Sequence, residues 1–305
     1  MKHSKLYYLL HPSLCIPVLL AKLSDRYAIE QQWKMCTDYP LNLRAPKTFS
    51  EKLQWLKLHD RNPLYHKLVD KYEVKQWVTE RIGAEYVTQT YALYNSLLEI
   101  DFDSLPEAFV LKCTHNSGSF VICPDKDKLN REQALETIGK GLSRKNYYVQ
   151  NKEWAYKDVK PRVIAEELLE DHTFKNLVNY KFWCFNGEPR IMYITVKTDD
   201  IWENFYDMDF NPLDITHGFR KYEGEIKKPE TFEQMKEIAC KLSTGIPHVR
   251  VDLYQIQGHV KFSELTFYDW GGFKPIQPKE WDEKIGSWLN LKGLSCMRMV
   301  RGNHL

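Results

Sequence analysis

The chain has 305 residues, of which 43% are hydrophobic and 28% are charged. This composition is typical of a soluble globular protein with a sizeable core, and it excludes a disordered or low-complexity chain. The formal net charge is only +2, so no strong positive field indicates a nucleic-acid partner.

The first apolar segment, residues 6–23, is interrupted by His11, Pro12 and Pro17. No run in it reaches the roughly 20 apolar residues that a membrane-spanning helix needs. We expect helical turns packed on the domain, with peripheral membrane contact as the alternative.

The seven cysteines include no C-x-x-C pattern, which indicates reduced thiols in a cytoplasm. We therefore expect a cytoplasmic protein, with the inner face of the membrane as an alternative location.

Two helices are predicted before the first strand. Thr48 and Glu51 fit a capping box at the start of a helix over 48–59. A second helix is predicted over about 64–81, with Gly83 as its C-cap.

The rest of the chain alternates between strand pairs and helices, which predicts an α+β fold and not a doubly wound α/β fold. Asn186-Gly187 is the strongest hairpin signal. The predicted elements are strands over 104–113 and 120–123, a helix over 130–145, a strand from 162, a hairpin over 179–196, a helix over 229–243 and a hairpin over 248–267 centred near Gly258.

The last hairpin places two carboxylates opposite each other. A turn centred on Gly258 pairs Asp252 with Glu264 and Arg250 with Thr266, and alternation puts all four side chains on one face. Facing carboxylates repel, so neutralising one of them should not cost stability. Mg²⁺ would remove the repulsion, because proteins hold it with one or two carboxylates plus phosphate oxygens.

The alternative for this hairpin is a solvated outer face, on which two acids repel weakly through water. The same alternation puts Tyr254 and Phe262 on that face, which counts against full solvation. A register shift of one residue would place the acids on opposite faces and remove the metal site.

Residues 109–120, FVLKCTHNSGSF, place Lys112 after three apolar residues and Ser117-Gly118-Ser119 in a polar loop. Such a stretch is either an ordinary strand and turn or a strand that brings a lysine and a glycine loop to a phosphate. Small residues let backbone N–H groups approach anionic oxygens. The stretch alone does not decide between the two.

Six motifs in this order carry a family resemblance: Asp70-Lys71, FVLK with its SGS loop, VIAEELL, NYKFWCFNGEP, VRVDLY and FSELTF. Together they resemble an ATP-grasp enzyme, and most closely the TupA-like branch related to the teichuronopeptide-biosynthesis protein. The resemblance covers roughly residues 35–290 and implies two α+β subdomains of antiparallel strands that grip ATP. The implied limits are a helical N-terminal region 1–62, an ATP-grasp domain 63–290 with a nucleotide subdomain about 84–165 and a metal subdomain about 166–290, and a C-terminal tail 291–305.

The resemblance also implies the nucleotide site. Lys71 and Lys112 resemble phosphate-binding lysines, and the loop resembles the mobile segment that covers the phosphates. Glu166 resembles the acid that accepts from the adenine amine. Without the resemblance, Lys71 is also explained as a solvated charge on an amphipathic helix, Lys181 as a solvent-facing hairpin lysine and Glu166 as an acidic helix start. The implied ATP-binding residues are Lys71, Lys112, Ser117, Gly118, Ser119, Glu166, Glu167, Leu168 and Lys181.

The implied catalytic residues are Lys181 and Arg250, which would face the transferred phosphate; Lys197 is a weaker candidate of the same kind. Asp252 and Glu264 resemble the Mg²⁺ ligands. Thr266 stands where many ATP-grasp ligases have Asn, and its hydroxyl can ligate metal with a shorter reach.

The activity that the resemblance implies is an ATP-dependent carboxylate–amine ligase that forms an amide on a surface polysaccharide or its precursor. Its partners would be ATP, Mg²⁺, a carboxylate such as a uronic acid or an amino acid, and an amine. Three alternatives stay open: a glycosyltransferase, for which only Asp125-Lys126-Asp127 matches a D-x-D pattern formally; an ATP-dependent kinase; and a non-catalytic module on the same scaffold.

Overall fold

The structure is a computed structural model that describes residues 24–170, 178–197, 200–292 and 294. The candidate membrane segment 6–23 and most of the expected C-terminal tail lie outside the described residues. Within the described ranges, no helix is long and apolar enough to cross a bilayer.

The expected α+β class is confirmed, because helices alternate with strands whose pairings are all antiparallel in the described residues. The helices are α1 Asp25–Cys36, α2 Phe49–His59, α3 Leu64–Val69, α4 Glu73–Ile82, α5 Arg131–Leu142, α6 Tyr147–Asn151, α7 Phe232–Ser243 and α8 Lys279–Trp288. The strands are β1 Thr90–Tyr94, β2 Phe109–Cys113, β3 Phe120–Cys123, β4 Val163–Glu166, β5 Asn179–Phe185, β6 Glu188–Lys197, β7 Ile201–Tyr206, β8 Pro212–Leu213, β9 His248–Ile256 and β10 His259–Thr266.

The strands form two sheets. The first has four strands in the order β1-β4-β2-β3, and the second has six in the order β10-β9-β5-β6-β7-β8. The first sheet packs on α5, where Phe109, Leu111 and Ile138 are fully buried. Lys112 is consequently directed to the opposite face of β2, because side chains alternate along a strand.

The six-stranded sheet buries one face under α7. Phe182 of β5 packs on Phe232 of α7 with ring centroids 5.9 Å apart. The Cys184 thiol on the same face contacts the carbonyl of Ala239 at 3.8 Å. Cys184 is free, as are the other four described cysteines. The opposite face of this sheet carries the charged residues considered below.

The predicted capping box of α2 is confirmed: the Thr48 hydroxyl accepts from the Glu51 amide, and the Glu51 carboxylate accepts from the Thr48 amide. The predicted single helix over 64–81 is wrong. The chain forms α3 and α4 instead, because the Asp70 carboxylate accepts from the Tyr72 and Glu73 amides at 2.8 and 3.0 Å. An aspartate in this arrangement starts a new helix.

The hairpin formed by β9 and β10 has the predicted pairs, Asp252 with Glu264 and Arg250 with Thr266. Its turn is the two-residue Gln257-Gly258, with both residues at positive φ. The register then shifts by one residue between Phe262 and Glu264. This bulge brings Glu264 opposite Asp252.

The same bulge overturns the expected position of Phe262. Phe262 pairs with Leu253 before the register shifts, so it shares the core face of the hairpin and is buried in the main hydrophobic cluster. Of the two aromatic residues expected on the face of the acids, only Tyr254 lies there.

Candidate functional site

A row of polar side chains crosses four strands on the face of the larger sheet opposite α7. Glu264 of β10 pairs with Asp252 of β9, Asp252 pairs with Lys181 of β5, and Lys181 pairs with Tyr193 of β6. Register partners share a face and lie close together. The structure therefore brings the two expected metal ligands and one expected catalytic lysine into one line.

Arg250 lies between the two carboxylates. Its Nε and Nη2 donate to Asp252 Oδ1 and Oδ2, both at 2.7 Å, and Nη2 also donates to Glu264 Oε1 at 2.9 Å. The expectation of two facing acids with no cation between them is therefore wrong. The guanidinium offsets both charges. Burial still raises the pKa of Asp252 to about 6, against the opposing effect of Arg250, and the charge of Glu264 adds to the rise.

Glu264 has further partners. Its Oε1 accepts from the Thr266 hydroxyl at 3.2 Å, and its Oε2 lies 3.7 Å from Lys71 Nζ. Burial acts to raise the pKa of Glu264, but the charges of Lys71 and Arg250 outweigh it and hold that pKa below its usual value. The carboxylate is therefore ionised at neutral pH and available to a cation.

Asp269 completes the Arg250 cluster and is absent from the predicted site. Its Oδ1 accepts from Arg250 Nη1 at 2.5 Å, and its Oδ2 accepts from the Tyr193 hydroxyl at 2.7 Å and the Trp183 indole at 2.9 Å. Burial acts to raise its pKa, but Arg250 holds the pKa of Asp269 well below the usual range. In the sequence, Asp269 is only an aspartate shortly before two adjacent glycines. This pattern is too common to indicate its role.

Helix α2 holds the loop that carries Asp269. Trp270 and Gly271 follow in the left-handed region, with φ of 48° and 65°. Gln54 Nε2 donates to the carbonyl of Gly271 at 3.1 Å, and Lys57 Nζ donates to the same carbonyl at 2.5 Å. Burial lowers the pKa of Lys57 to about 7. The described part of the N-terminal region thus positions a residue of the site.

Lys71 connects the two sheets. Its Nζ donates to the carbonyl of Asn116, in the loop between β2 and β3, at 2.8 Å, and lies 3.7 Å from Glu264. Its backbone amide donates to Thr114 at 3.1 Å. Asp70 does not reach this site, because its carboxylate caps α4 and pairs with Arg162.

Lys112 and Lys75 both bind Glu166. Lys112 Nζ contacts Glu166 Oε1, and Lys75 Nζ lies 2.8 Å from Oε2. Burial acts to raise the pKa of Glu166, but the two ammonium groups hold it below its usual value. Lys75 was missing from the predicted site. It lies on α4, far from the strand motifs in sequence, so only the fold brings it to Glu166.

The residues after Glu166 lie at the end of β4, an inner strand of the four-stranded sheet. The Glu167 amide donates to the carbonyl of Gln89 at 2.9 Å, so this amide is used inside the protein. Leu168 is partly exposed and lies just beyond the end of β4. The adenine-facing role of Glu166, Glu167 and Leu168 stays a prediction.

The Ser117-Gly118-Ser119 loop is partly built into the fold. The Ser117 amide donates to the Tyr147 hydroxyl and its carbonyl accepts from Arg144 Nη1, both at 3.2 Å. Gly118 is exposed with φ of 72°, whereas Ser119 is buried. A cavity of about 530 Å³ opens here, and its lining residues are Asn116, Ser117, Arg144, Lys145, Tyr147 and Gln150. Arg144 is a cation near the loop that the sequence did not indicate.

Lys181 is held on the same face as Arg250. Its Nζ donates to the Thr195 hydroxyl at 2.7 Å and lies 5.1 Å from the centroid of the Tyr193 ring. Burial lowers the pKa of Lys181. The side chain of Lys197 lies outside the described part of the protein.

A family model described as TupA-like ATPgrasp matches residues 51–290. The chain belongs to the TupA-like ATP-grasp family. This confirms the expected ATP-grasp fold. No curated protein sequence matches the chain.

Several solved ATP-grasp structures are similar to this TupA-like chain at low identity. D-alanine–D-alanine ligase from Bacillus anthracis with ATP is 14% identical, with 66% of this chain and 54% of that one covered and a TM-score of 0.39. The ATP-grasp ligase PsnB with its minimal precursor is 10% identical, with 68% and 55% covered and the same TM-score. The chain spans about half the length of these proteins.

The carboxylate pair fits a magnesium ion that arrives with a nucleotide. Asp252 and Glu264 supply oxygen donors from adjacent strands, and Mg²⁺ is usually held by one or two carboxylates together with phosphate oxygens. Across the described ranges, no group of three or more His, Cys, Asp or Glu residues is arranged to hold a metal by itself.

The formal D-x-D pattern forms a local turn. Asp125 accepts from the Asp127 amide at 3.1 Å and from Lys128 Nζ at 2.5 Å. All of these contacts lie within four residues on the surface, away from the charged row. The pattern therefore gives no support to a glycosyltransferase.

Proposed function

We propose that this chain is an ATP-dependent carboxylate–amine ligase that acts through an acyl phosphate and forms an amide on a surface polysaccharide or its precursor. The observation that carries the proposal is the double contact of Lys71 with the loop carbonyl of Asn116 and with Glu264. It joins the expected phosphate loop of one sheet to the expected metal ligands of the other. The family match supports the ATP-dependent class.

In this proposal the nucleotide lies between the two sheets, in subdomains of about 84–165 and 166–290. Lys71 and Lys112 bind its phosphates, and the exposed Gly118 lets the backbone approach them. Asp252 and Glu264, with the Thr266 hydroxyl beside them, hold Mg²⁺, which when bound neutralises charge on the phosphate oxygens.

The substrate carboxylate attacks the γ-phosphorus of ATP, and an amine then displaces phosphate from the acyl phosphate. Arg250 and Lys181 both lie on the face of the carboxylates. In this proposal Lys181 donates to the transferred phosphoryl group. Arg250 acts through its charge, because all five of its N–H groups already donate within the chain. Such catalysis depends on positioning and on fixed charges in a site from which water is excluded. We propose that the reaction takes place in the cytoplasm, with peripheral membrane contact through residues 6–23 as the alternative.

The test combines ATP, Mg²⁺ and a panel of uronic acids and amino acids with hydroxylamine, which converts an acyl phosphate to a hydroxamate. We expect Mg²⁺-dependent phosphate release and a hydroxamate with one class of carboxylate. Asp252→Asn should abolish both, whereas Asp209→Asn, an exposed matched control, should not. A stable phosphoester without hydroxamate would indicate a kinase, and transfer from a nucleotide sugar without ATP would indicate a glycosyltransferase.

A further inference from the structure

Glu203 of β7 is a buried carboxylate that the proposed mechanism does not use. It is 1% exposed, and its Oε2 has no hydrogen-bond partner. Glu203 pairs with Thr195 of β6, so its side chain lies on the face that carries Lys181 and Arg250. Leaving a buried acceptor without a donor is costly. A partner outside the chain would remove that cost.

The positive charges near Glu203 are engaged elsewhere. Lys181 Nζ donates to the Thr195 hydroxyl at 2.7 Å. Lys274 Nζ lies 3.1 Å from the ring centroid of Phe219 and 3.8 Å from that of Trp270. Burial raises the pKa of Glu203 to about 7, with Asp269 adding to the effect and Lys181, Lys274 and Arg250 opposing it.

His217 provides a second buried polar atom without a partner. Its ring lies 5.4 Å from Trp183 and 6.4 Å from Phe205, and Phe205 follows Glu203 by two residues on the same face of β7. The His217 Nδ1 has no hydrogen-bond partner. Burial lowers the pKa of His217 to about 4, so the ring is neutral at pH 7 and offers a nitrogen lone pair.

A carboxylate oxygen and a neutral imidazole together suit a ligand with several N–H donors. An anionic group placed directly against the ionised Glu203 carboxylate would be repelled. We propose that Glu203, with His217 on the same side of the sheet, binds the amino group of the amine substrate and accepts a proton from it. The proposal rests on the ligase function proposed above and names the part of the site that receives the amine.

The protons, bonds and electron pairs of the proposed transfer balance with those of the ligase reaction. The protonated amine gives one proton to the Glu203 carboxylate, and its lone pair then forms the C–N bond to the acyl carbon. The C–O bond to phosphate breaks at the same carbon, and phosphate keeps the electron pair. The second proton lost by the nitrogen goes to the departing phosphate. A carboxyl group with a pKa near the working pH is suited to this exchange.

Ethylammonium is a simple probe for the site, tested on the full chain saturated with Mg²⁺ and a non-hydrolysable ATP analogue. We expect calorimetry or NMR to detect its binding to the wild-type protein. Glu203→Gln should weaken that binding by about tenfold or more, the scale of a lost hydrogen bond to a charged group. Glu188→Gln, an exposed control on the same sheet, should bind ethylammonium and nucleotide like the wild type.

Tetramethylammonium provides a test that needs no variant, because it has the charge but no N–H donor. It should neither bind nor compete with ethylammonium. Equal binding of the two cations, unchanged ethylammonium binding in Glu203→Gln, or no ethylammonium binding to the nucleotide-saturated wild type would each overturn the amine site alone. Absence of Mg²⁺-ATP binding to the wild type would overturn both this inference and the proposed function.

Discussion

Arg250 Nη1 lies 2.5 Å from Asp269 Oδ1, and both side chains are buried. The contact joins the hairpin that carries the proposed metal ligands to the loop that α2 holds in place. Arg250 in turn binds Asp252 and Glu264. The orientation of the proposed catalytic arginine therefore depends on a residue that follows the hairpin and belongs to none of its strands.

Replacing Asp269 by Asn should destabilise the protein by roughly 3–5 kcal/mol at pH 7, because it removes one partner of a buried ion pair. Urea unfolding measures the loss. Asp209→Asn, on the surface, should cost little. An Asp269→Asn protein as stable as the wild type would show that the buried pair contributes no net stability.

The stability difference between wild type and Asp269→Asn should depend on pH, and the direction of the Asp269 pKa shift fixes its sign. The Asp269 pKa is lower in the folded protein than in the unfolded chain, where it is about 3.9. Its contribution is therefore fully present above the unfolded pKa and is lost as the pH falls towards the folded pKa. The stability gap between wild type and Asp269→Asn should narrow between pH 5 and pH 2, and a gap constant over that range would contradict the charge-based account.

Replacing Lys71 by Met should weaken binding of Mg²⁺-ATP by about 1.5–3 kcal/mol, the scale of a hydrogen bond to a charged group. The Lys71 ammonium group lies between Asn116 and Glu264. Calorimetry measures the change. Lys67→Met, exposed on neighbouring α3, is the matched control, and equal affinities in the two variants would remove Lys71 from the nucleotide site.

The variant Glu264→Gln tests whether Arg250 and Lys71 compensate the charge of Glu264 in the nucleotide-free protein. Because Arg250 and Lys71 both pair with Glu264, neutralising it should lower the stability of the nucleotide-free protein by about 1–3 kcal/mol. Facing acids without a cation would give no loss or a small gain. The same variant should also lose most of the extra stabilisation that Mg²⁺ adds to ATP binding, as thermal unfolding with and without EDTA would show.

Glu166→Gln separates two roles of one carboxylate. As the partner of Lys75 and Lys112, Glu166 fixes both ammonium groups, and its loss should weaken ATP and GTP binding by the same factor. As an acceptor for the adenine amine, it should matter for ATP more than for GTP. The ratio of the two affinities, measured in wild type and variant, decides between the roles.

The sequence predicted the parts of the site that depend on short-range pattern. The pairing of Asp252 with Glu264 follows from strand alternation around one glycine turn. The prediction assumed a symmetric turn, whereas the structure reaches the same pair through a two-residue turn and a bulge. The bulge is also why Phe262 lies in the core, because nothing local distinguishes a bulged strand from a regular one.

The residues that the sequence did not indicate come from distant segments. Lys75 reaches Glu166 from α4, and Lys57 reaches Gly271 from α2. Glu203 comes from β7, which is three strands away from β9 in the sheet. Each is an ordinary charged residue in its local sequence. Only packing of the elements reveals that they are buried and face the site, so periodicity and spacing could not single them out.

The most direct test of the account is a crystal structure of the protein with Mg²⁺ and a non-hydrolysable ATP analogue. We expect the nucleotide between the two sheets, with Lys71 and Lys112 on its phosphates. The metal should lie about 2.0–2.1 Å from oxygens of Asp252 and Glu264 and from phosphate oxygens. A nucleotide bound elsewhere, or one bound between the sheets while Arg250 alone occupies both carboxylates, would contradict the proposed site.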